Sequence, residues 1–265
     1  MYKVLPDAIF SEGTGLREKL RIAKVGEFNG ININMEEVHT LVKDHSPAYV
    51  KGMLDSFNLK VGIWNLPFSL TADQKVYEKG LELLKEYSQT ASYVEAFRVI
   101  TYVDSKELKG DTNLYVKRIN AVTEILSQYG CSIGIGIKHG RHFISPDIIK
   151  IFKKIKSGNL GFIFSARLWH LSGGEAGELR RIPNGEIIYV MVGDISFEGK
   201  GKYLPGETGT INLPLFLNTL EEIGYDGPVV PEIPDREILT IPHEITARLL
   251  GGALMKVWNK TFIER

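Results

Sequence analysis

Short apolar runs alternate with longer stretches of mixed polarity along the whole chain. The runs fall at 3–10 (KVLPDAIF), 30–34 (GININ), 60–66 (KVGIWNL), 96–103 (AFRVITYV), 132–137 (SIGIGI), 160–166 (LGFIFSA), 187–193 (IIYVMVG) and 228–233 (PVVPEI). Their length and β-branched content predict strands, and near-continuous apolarity predicts burial on both faces. Between them, 72–92 carries Val76, Leu81, Leu83, Leu84 and Tyr87 at roughly helical spacing. Segments 111–129, 146–156 and 213–223 read the same way, the last followed by Gly224, the residue a helix C-terminus favours. Strands alternating with helices predict parallel pairing through crossover connections. Eight such units in about 250 residues fit an α/β fold of the closed (β/α)8 TIM barrel type better than an open doubly wound sheet. Pro6 interrupts the first strand. No linker rich in Pro, Gly or Ser divides the chain, so residues 1–265 are read as one domain.

Composition narrows the function. At 43% hydrophobic and 24% charged, the chain is too apolar to stay disordered. Lys plus Arg is 32 and Asp plus Glu is 32, leaving no positive excess for a phosphate backbone or an anionic lipid surface, so neither nucleic acid nor a membrane is an expected partner. A single cysteine, Cys131, can form neither an internal disulfide nor a paired-thiol metal clip, which points to a reducing, cytoplasmic setting. The N-terminus has no apolar run of signal-peptide length, and no stretch reaches the ~18 apolar residues of a membrane span. Phosphate-binding GxxxxGK[ST], dinucleotide-binding GxGxxG and nucleophile-elbow GxSxG patterns are absent from the sequence.

In a barrel of this kind the chemistry sits where strands end at their C-termini. The third strand brings Trp64 there and the fourth Arg98 and Tyr102. The fifth brings Lys138, His139 and His142, the sixth Arg167, Trp169 and His170, the seventh Asp194 and the eighth Glu232. Carboxylates, cations and aromatic faces together suit a small polar or sugar-like ligand. Glu232 stands out because a carboxylate interrupts an otherwise apolar run; it reads as a base, as a metal ligand, or as the partner of a nearby Arg or Lys at the rim. Asp194 reads as a second base or as a cap for its loop. Lys138 and Arg167 can bind an anionic group or form surface ion pairs, and Trp64, Tyr102 and Trp169 can stack on a sugar ring or plug the barrel mouth. The spacing His139-x-x-His142 is half of a metal site, and solvated loop histidines have the same spacing.

Several segments carry a more specific signal. The stretch KYLPGETGTINLPLFLNTLEEIGYDGPVVPEI (202–233) resembles the end of the xylose isomerase-like TIM barrel family, the sugar phosphate isomerases and epimerases. EFNGININMEEV (27–38), AFRVITYV, ILSQYGCSIGIGI (125–137), LGFIFSARLWHLSGG (160–174) and IIYVMVGD (187–194) resemble its earlier pieces. The resemblance implies a barrel, intramolecular proton transfer on a sugar-like substrate, and frequent dimers. It also implies a divalent metal held by a Glu after strand five, an Asp after strand six with a His three residues on, a His on strand seven and a Glu on strand eight. Carried across, those positions are Gly136, Ser165, Leu168, Met191 and Glu232, with Asp194 kept beside the last; the Glu after the second strand becomes Asn32. Glycine, leucine and methionine offer a hard or borderline cation nothing, so no cofactor is expected unless His139, His142 or His170 rebuild a site.

Two readings remain open. In the first, Glu232 or Asp194 removes a proton beside a carbonyl while Lys138, Arg167 or a histidine stabilises the enediolate. In the second, the barrel is a non-catalytic member that binds a sugar-like ligand or assembles with a working relative. A metal-dependent repair endonuclease on the same fold needs many His and acidic ligands and a basic face, which this sequence lacks. In either open reading Trp64, Arg98, Tyr102, His139, Arg167, Trp169 and His170 are expected to contact the ligand.

Overall fold

A computed structural model describes residues 1–104, 112–138, 154–155, 157–234 and 237–264. Nine strand segments form one sheet: β1 (Tyr2–Leu5), β2 (Gly30–Ile31), β3 (Lys60–Val61), β4 (Trp64–Asn65), β5 (Arg98–Asp104), β6 (Ser132–Lys138), β7 (Leu160–Ser165), β8 (Ile187–Val192) and β9 (Pro228–Pro231). Their order is β3-β2-β1-β9-β8-β7-β6-β5-β4, and every ladder between them is parallel. The two ends of that order, β3 and β4, are pieces of the single strand predicted over 60–66. The first piece pairs with β2 and the second with β5, so the sheet closes into a barrel of eight staves. The break coincides with a long-range contact: the Ile63 N–H donates to the Asn32 side-chain oxygen at 3.1 Å instead of to a neighbouring strand.

Helices α1 (Leu16–Val25), α2 (Met35–Asp44), α3 (Pro47–Ser56), α4 (Gln74–Tyr93), α5 (Thr112–Ser127), α6 (Ala166–Leu171), α7 (Leu213–Glu222) and α8 (His243–Phe262) surround the barrel. The first strand stops at Leu5, short of the predicted residue 10, because Pro6 has no N–H for the ladder and opens a 3-10 turn over Asp7–Ile9. Asp73 caps α4 by accepting from the Val76 N–H at 3.0 Å. Gly224 takes φ +80° just past α7, and its N–H bonds the Glu221 carbonyl at 2.9 Å, the role its position predicts. The helix expected over 146–156 lies, apart from 154 and 155, outside the described residues. No helix among those described is long and apolar enough to cross a membrane.

Strand residues alternate between two apolar layers. Tyr2, Val4, Ile63, Ile100, Ile163, Tyr189 and Val230 fill the barrel interior, with Tyr102 and Met191 packed against them. Leu5, Ile31, Trp64, Val99, Phe164 and Val190 belong to the larger layer between sheet and helices. Each large apolar side chain buried this way contributes roughly 1.5–3 kcal/mol of transfer free energy, so the outer layer holds the helices on. The inner layer sets how deep the mouth of the barrel is.

Candidate functional site

Above the inner layer, where the strands end, lies a cavity of about 890 Å³. Its floor carries Asn32, Ile100, Tyr102, Tyr189 and Met191, and Ser165, Arg167, Glu232 and Lys202 stand on its wall and rim. At the floor the Asn32 amide donates to the Tyr189 hydroxyl at 2.7 Å while its oxygen takes the Ile63 N–H. Burial first, then the neighbouring phenol of Tyr102, pushes the Tyr189 hydroxyl far above its ordinary range, so it stays protonated.

Glu232 follows β9 directly, its N–H continuing the ladder to the Val192 carbonyl at 2.7 Å. It is 4% exposed. One carboxylate oxygen accepts the Ser165 hydroxyl and the other accepts the Arg167 Nε–H at 2.7 Å. Ser165 also caps α6, its oxygen accepting the Leu168 N–H at 3.2 Å. The turn that starts the helix is thereby tied to the carboxylate. Among the described residues Glu232 is the partner of the Arg167 guanidinium, whose side chain is 14% exposed and faces the cavity.

Tyr102 points inward from β5, and its hydroxyl reaches the Met191 thioether at 3.5 Å. Burial, with the Glu232 charge adding to it, pushes its pKa up to about 12. Asp7 joins the rim from the turn after β1. Its carboxylate lies 3.2 Å from the Lys19 ammonium, which also bonds Glu37 at 2.9 Å. Burial raises the Asp7 pKa against the pull of Lys19.

The structure gathers Glu232, Arg167 and Tyr102 around this cavity and puts other expected residues elsewhere. Trp64 faces outward: it is fully buried, donates its indole N–H to the Ala96 carbonyl at 2.8 Å and packs edge-on to Tyr87 of α4. Arg98 opens β5 at the opposite end of the barrel, beside Tyr2 and 3.9 Å from Asp226. Trp169 turns away from the mouth, its ring 5.2 Å from that of Phe164 and its indole N–H on the Glu175 carbonyl at 2.9 Å. His170 is exposed in the last turn of α6 and is not part of the cavity wall. Asp194 is fully buried in the loop after β8, accepting four backbone N–H groups from Ile195, Thr208, Gly209 and Ile211 at 2.8–3.2 Å. It is the loop cap of its alternative reading. Lys138 ends β6, with its side chain outside the description, and His139 and His142 lie outside the described residues altogether. Asp7 and Lys202 reach the cavity without a mark in the sequence pattern; Tyr189, also missed, could have been found from the alternation of β8, since it shares a face with Met191.

The residues present do not fit a divalent cation held as the resemblance implies. Gly136 offers no donor, and a Cβ built there would stand 2.7 Å from the Tyr102 ring, so that ring fills the space of a strand-five side chain. Met191 accepts the Tyr102 hydroxyl, Ser165 donates to Glu232, and the charge of Glu232 is already met by Arg167. Among the described residues no three His, Cys, Asp or Glu side chains gather in a group able to hold a metal ion.

Comparisons with known proteins agree with the architecture. A family model described as a xylose isomerase-like TIM barrel matches residues 20–252. An inosose isomerase of Bacillus licheniformis is 23% identical over 273 aligned positions, covering 97% of this chain and 97% of the relative. A xylose isomerase domain protein of Alicyclobacillus acidocaldarius superposes with a TM-score of 0.82 at 23% identity, covering 98% of each chain. The IOLI protein, solved with a bound zinc atom, superposes at 0.79 and 19% identity over 99% of this chain and 100% of its own.

Proposed function

Because this chain belongs to the xylose isomerase-like TIM barrel family, we propose that its cavity binds a small polyol or keto sugar and moves a proton beside the ligand's carbonyl group without a divalent cation. The observation that carries the reading is the Glu232 carboxylate inside the cavity, oriented by Ser165 and Arg167. Each of its oxygens accepts one hydrogen bond and keeps a second lone pair, so it remains able to take a proton. Glu232 removes a proton from the carbon next to the carbonyl, and the C–H electron pair becomes the C=C bond of an enediolate. The carbonyl electron pair then rests on oxygen, facing the Arg167 guanidinium. Delivery of a proton from water to the other face of the same carbon, with Glu232 releasing its own to solvent, gives an epimer; return to the former carbonyl carbon, with the proton of the neighbouring hydroxyl passing to the enediolate oxygen, moves the ketone. A positioned base contributes roughly 10²–10⁴-fold to such a step, and a fixed charge at the developing oxyanion roughly 10²–10³-fold.

The relative named as an inosose isomerase supports a cyclitol ketone as the first substrate to test. The test is solvent exchange. Protein stripped with EDTA is incubated in deuterated water with inosose, D-fructose or D-glucose, and deuterium in the recovered ligand is measured. Exchange that survives EDTA and is lost in Glu232→Gln is expected. Exchange that appears only with added divalent metal refutes the metal-free reading. The close Arg167–Glu232 pair also supports a binding protein without turnover, because the guanidinium already occupies one oxygen of the carboxylate. Saturable binding without exchange is the result that selects this second reading.

A further inference from the structure

Proton transfer by Glu232 leaves the Tyr102 hydroxyl of the cavity without a task. The Tyr102 hydroxyl has a sulfur as its acceptor, Met191 Sδ at 3.5 Å, and a thioether is a poor one. Elsewhere in the fold Tyr2, Tyr77 and Tyr225 each donate to a carbonyl oxygen at 2.9 Å. Tyr102 lies on the inward face of β5 opposite Gly136 of β6, and its ring lies against that glycine, where any Cβ would come within 2.7 Å. The ring is thus seated by the absence of a side chain at 136. Its oxygen is directed to the cavity that also holds Arg167 and Glu232.

We propose that Tyr102 is a catalytic hydrogen-bond donor, giving its O–H to the reacting oxygen of the ligand, with Gly136 as the positioning residue that makes room for its ring. This rests on the proton-transfer reading above and adds a ligand requirement: the group seated over Tyr102 is an acceptor oxygen, the carbonyl of a keto polyol, and not an amine. The phenol keeps its proton throughout, consistent with a hydroxyl held near 12. As the C–H electron pair becomes the C=C bond and the carbonyl pair moves onto oxygen, the bond from Tyr102 strengthens together with the attraction of Arg167. It relaxes when the proton returns to carbon, with no net oxidation.

The experiment compares wild type, Tyr102→Phe, Gly136→Ala and the double variant with inosose and D-fructose, reading deuterium exchange for kcat and KM and calorimetry for affinity. Tyr102→Phe keeps the ring and removes the donor, so kcat is expected to fall about 10²-fold while KM changes by less than about tenfold. Gly136→Ala displaces the same ring, so its loss and that of Tyr102→Phe are expected not to add. Should Gly136→Ala fail to fold, Tyr102→Phe decides alone. Wild-type kcat in Tyr102→Phe overturns this inference and leaves the proposed function standing. A wild type that neither exchanges nor binds any probe overturns the proposed function and this inference with it. If wild type binds inosose without exchange, affinity is the readout: binding weaker by roughly 3- to 10-fold in Tyr102→Phe supports the donor, and unchanged binding refutes it.

Discussion

Replacing Asp194 by asparagine separates a structural carboxylate from a chemical one. Asp194 is fully buried and has no cationic partner among the described residues; its charge is met by backbone alone. Oδ1 takes the N–H groups of Ile195 at 2.9 Å and Ile211 at 3.2 Å, and Oδ2 those of Thr208 at 3.1 Å and Gly209 at 2.8 Å. Hydrogen bonds to a charged acceptor contribute about 1.5–3 kcal/mol each, so four carry a gross stabilisation of roughly 6 kcal/mol or more. The loop can open and rehydrate part of that, which brings the expected net loss for Asp194→Ala to about 3–4 kcal/mol. Asp194→Asn keeps one oxygen and turns the other into an NH2 group facing two N–H donors, so it is expected to lose nearly as much, about 3 kcal/mol. Urea unfolding followed by circular dichroism gives both values from the midpoint at constant slope. An Asp194→Asn protein within about 0.5 kcal/mol of wild type, with ligand exchange abolished, refutes the argument and returns Asp194 to the chemistry.

Three further outcomes follow from side chains whose partners are fixed. Arg167→Ala leaves the buried Glu232 carboxylate with the Ser165 hydroxyl alone and is expected to cost roughly 3 kcal/mol, whereas Arg167→Met with Glu232→Leu recovers most of it; equal stability of the single and double variants in urea counts against the pair. Burial pushes the Cys131 thiol up to about 12, so iodoacetamide at pH 8 is expected to label it only under unfolding conditions, and rapid native labelling contradicts that burial. The Lys19 ammonium is held above the ordinary lysine range: burial lowers it, but bonds to Glu37 and Asp7 outweigh the burial. A raised folded-state value means its stabilisation is complete below the ordinary lysine pKa and lost as pH climbs through the raised one. The stability gap between wild type and Lys19→Met is therefore expected to hold from neutral pH to about 9 and to narrow in stronger alkali; a gap that narrows on acidification to pH 6 refutes this assignment.

The barrel was legible because each apolar run marks one stave. The candidate site was legible only in part, because the runs are apolar on both faces. In the run 60–66 no polar alternation tells which residues face inward, and a shift of one position exchanges the two faces. The structure turns Ile63 and Asn65 inward and Trp64 outward, so the aromatic residue belongs to the outer layer. Arg98 shares its strand face with Tyr102 but stands at the other end. Its place near the start of the run 96–103 was readable, since a parallel barrel runs every strand from the same floor to the same mouth. The gap between β3 and β4 coincides with a contact to Asn32, about thirty residues earlier, and no local pattern shows it.

The segment from Ser165 to Leu171 combines both difficulties. The strand ends at Ser165 and α6 begins at Ala166 with no loop between, so the side-chain period changes from two residues to 3.6 at a single peptide bond. Strand periodicity continued through the change would line up Ser165, Arg167 and Trp169 on one face. Helical periodicity puts Leu168 and Leu171 on the cavity and sends Trp169 against Phe164. Arg167 satisfies both, being two residues past the last strand position and in the first turn of the helix, and together with Ser165 it meets Glu232, 65 residues away in the chain. A lone carboxylate in an apolar run marks a position that needs a partner; only the turn geometry of the stave two places along the barrel tells whether that partner is a metal, water or a guanidinium. Here the helix starts early enough for the guanidinium to reach it.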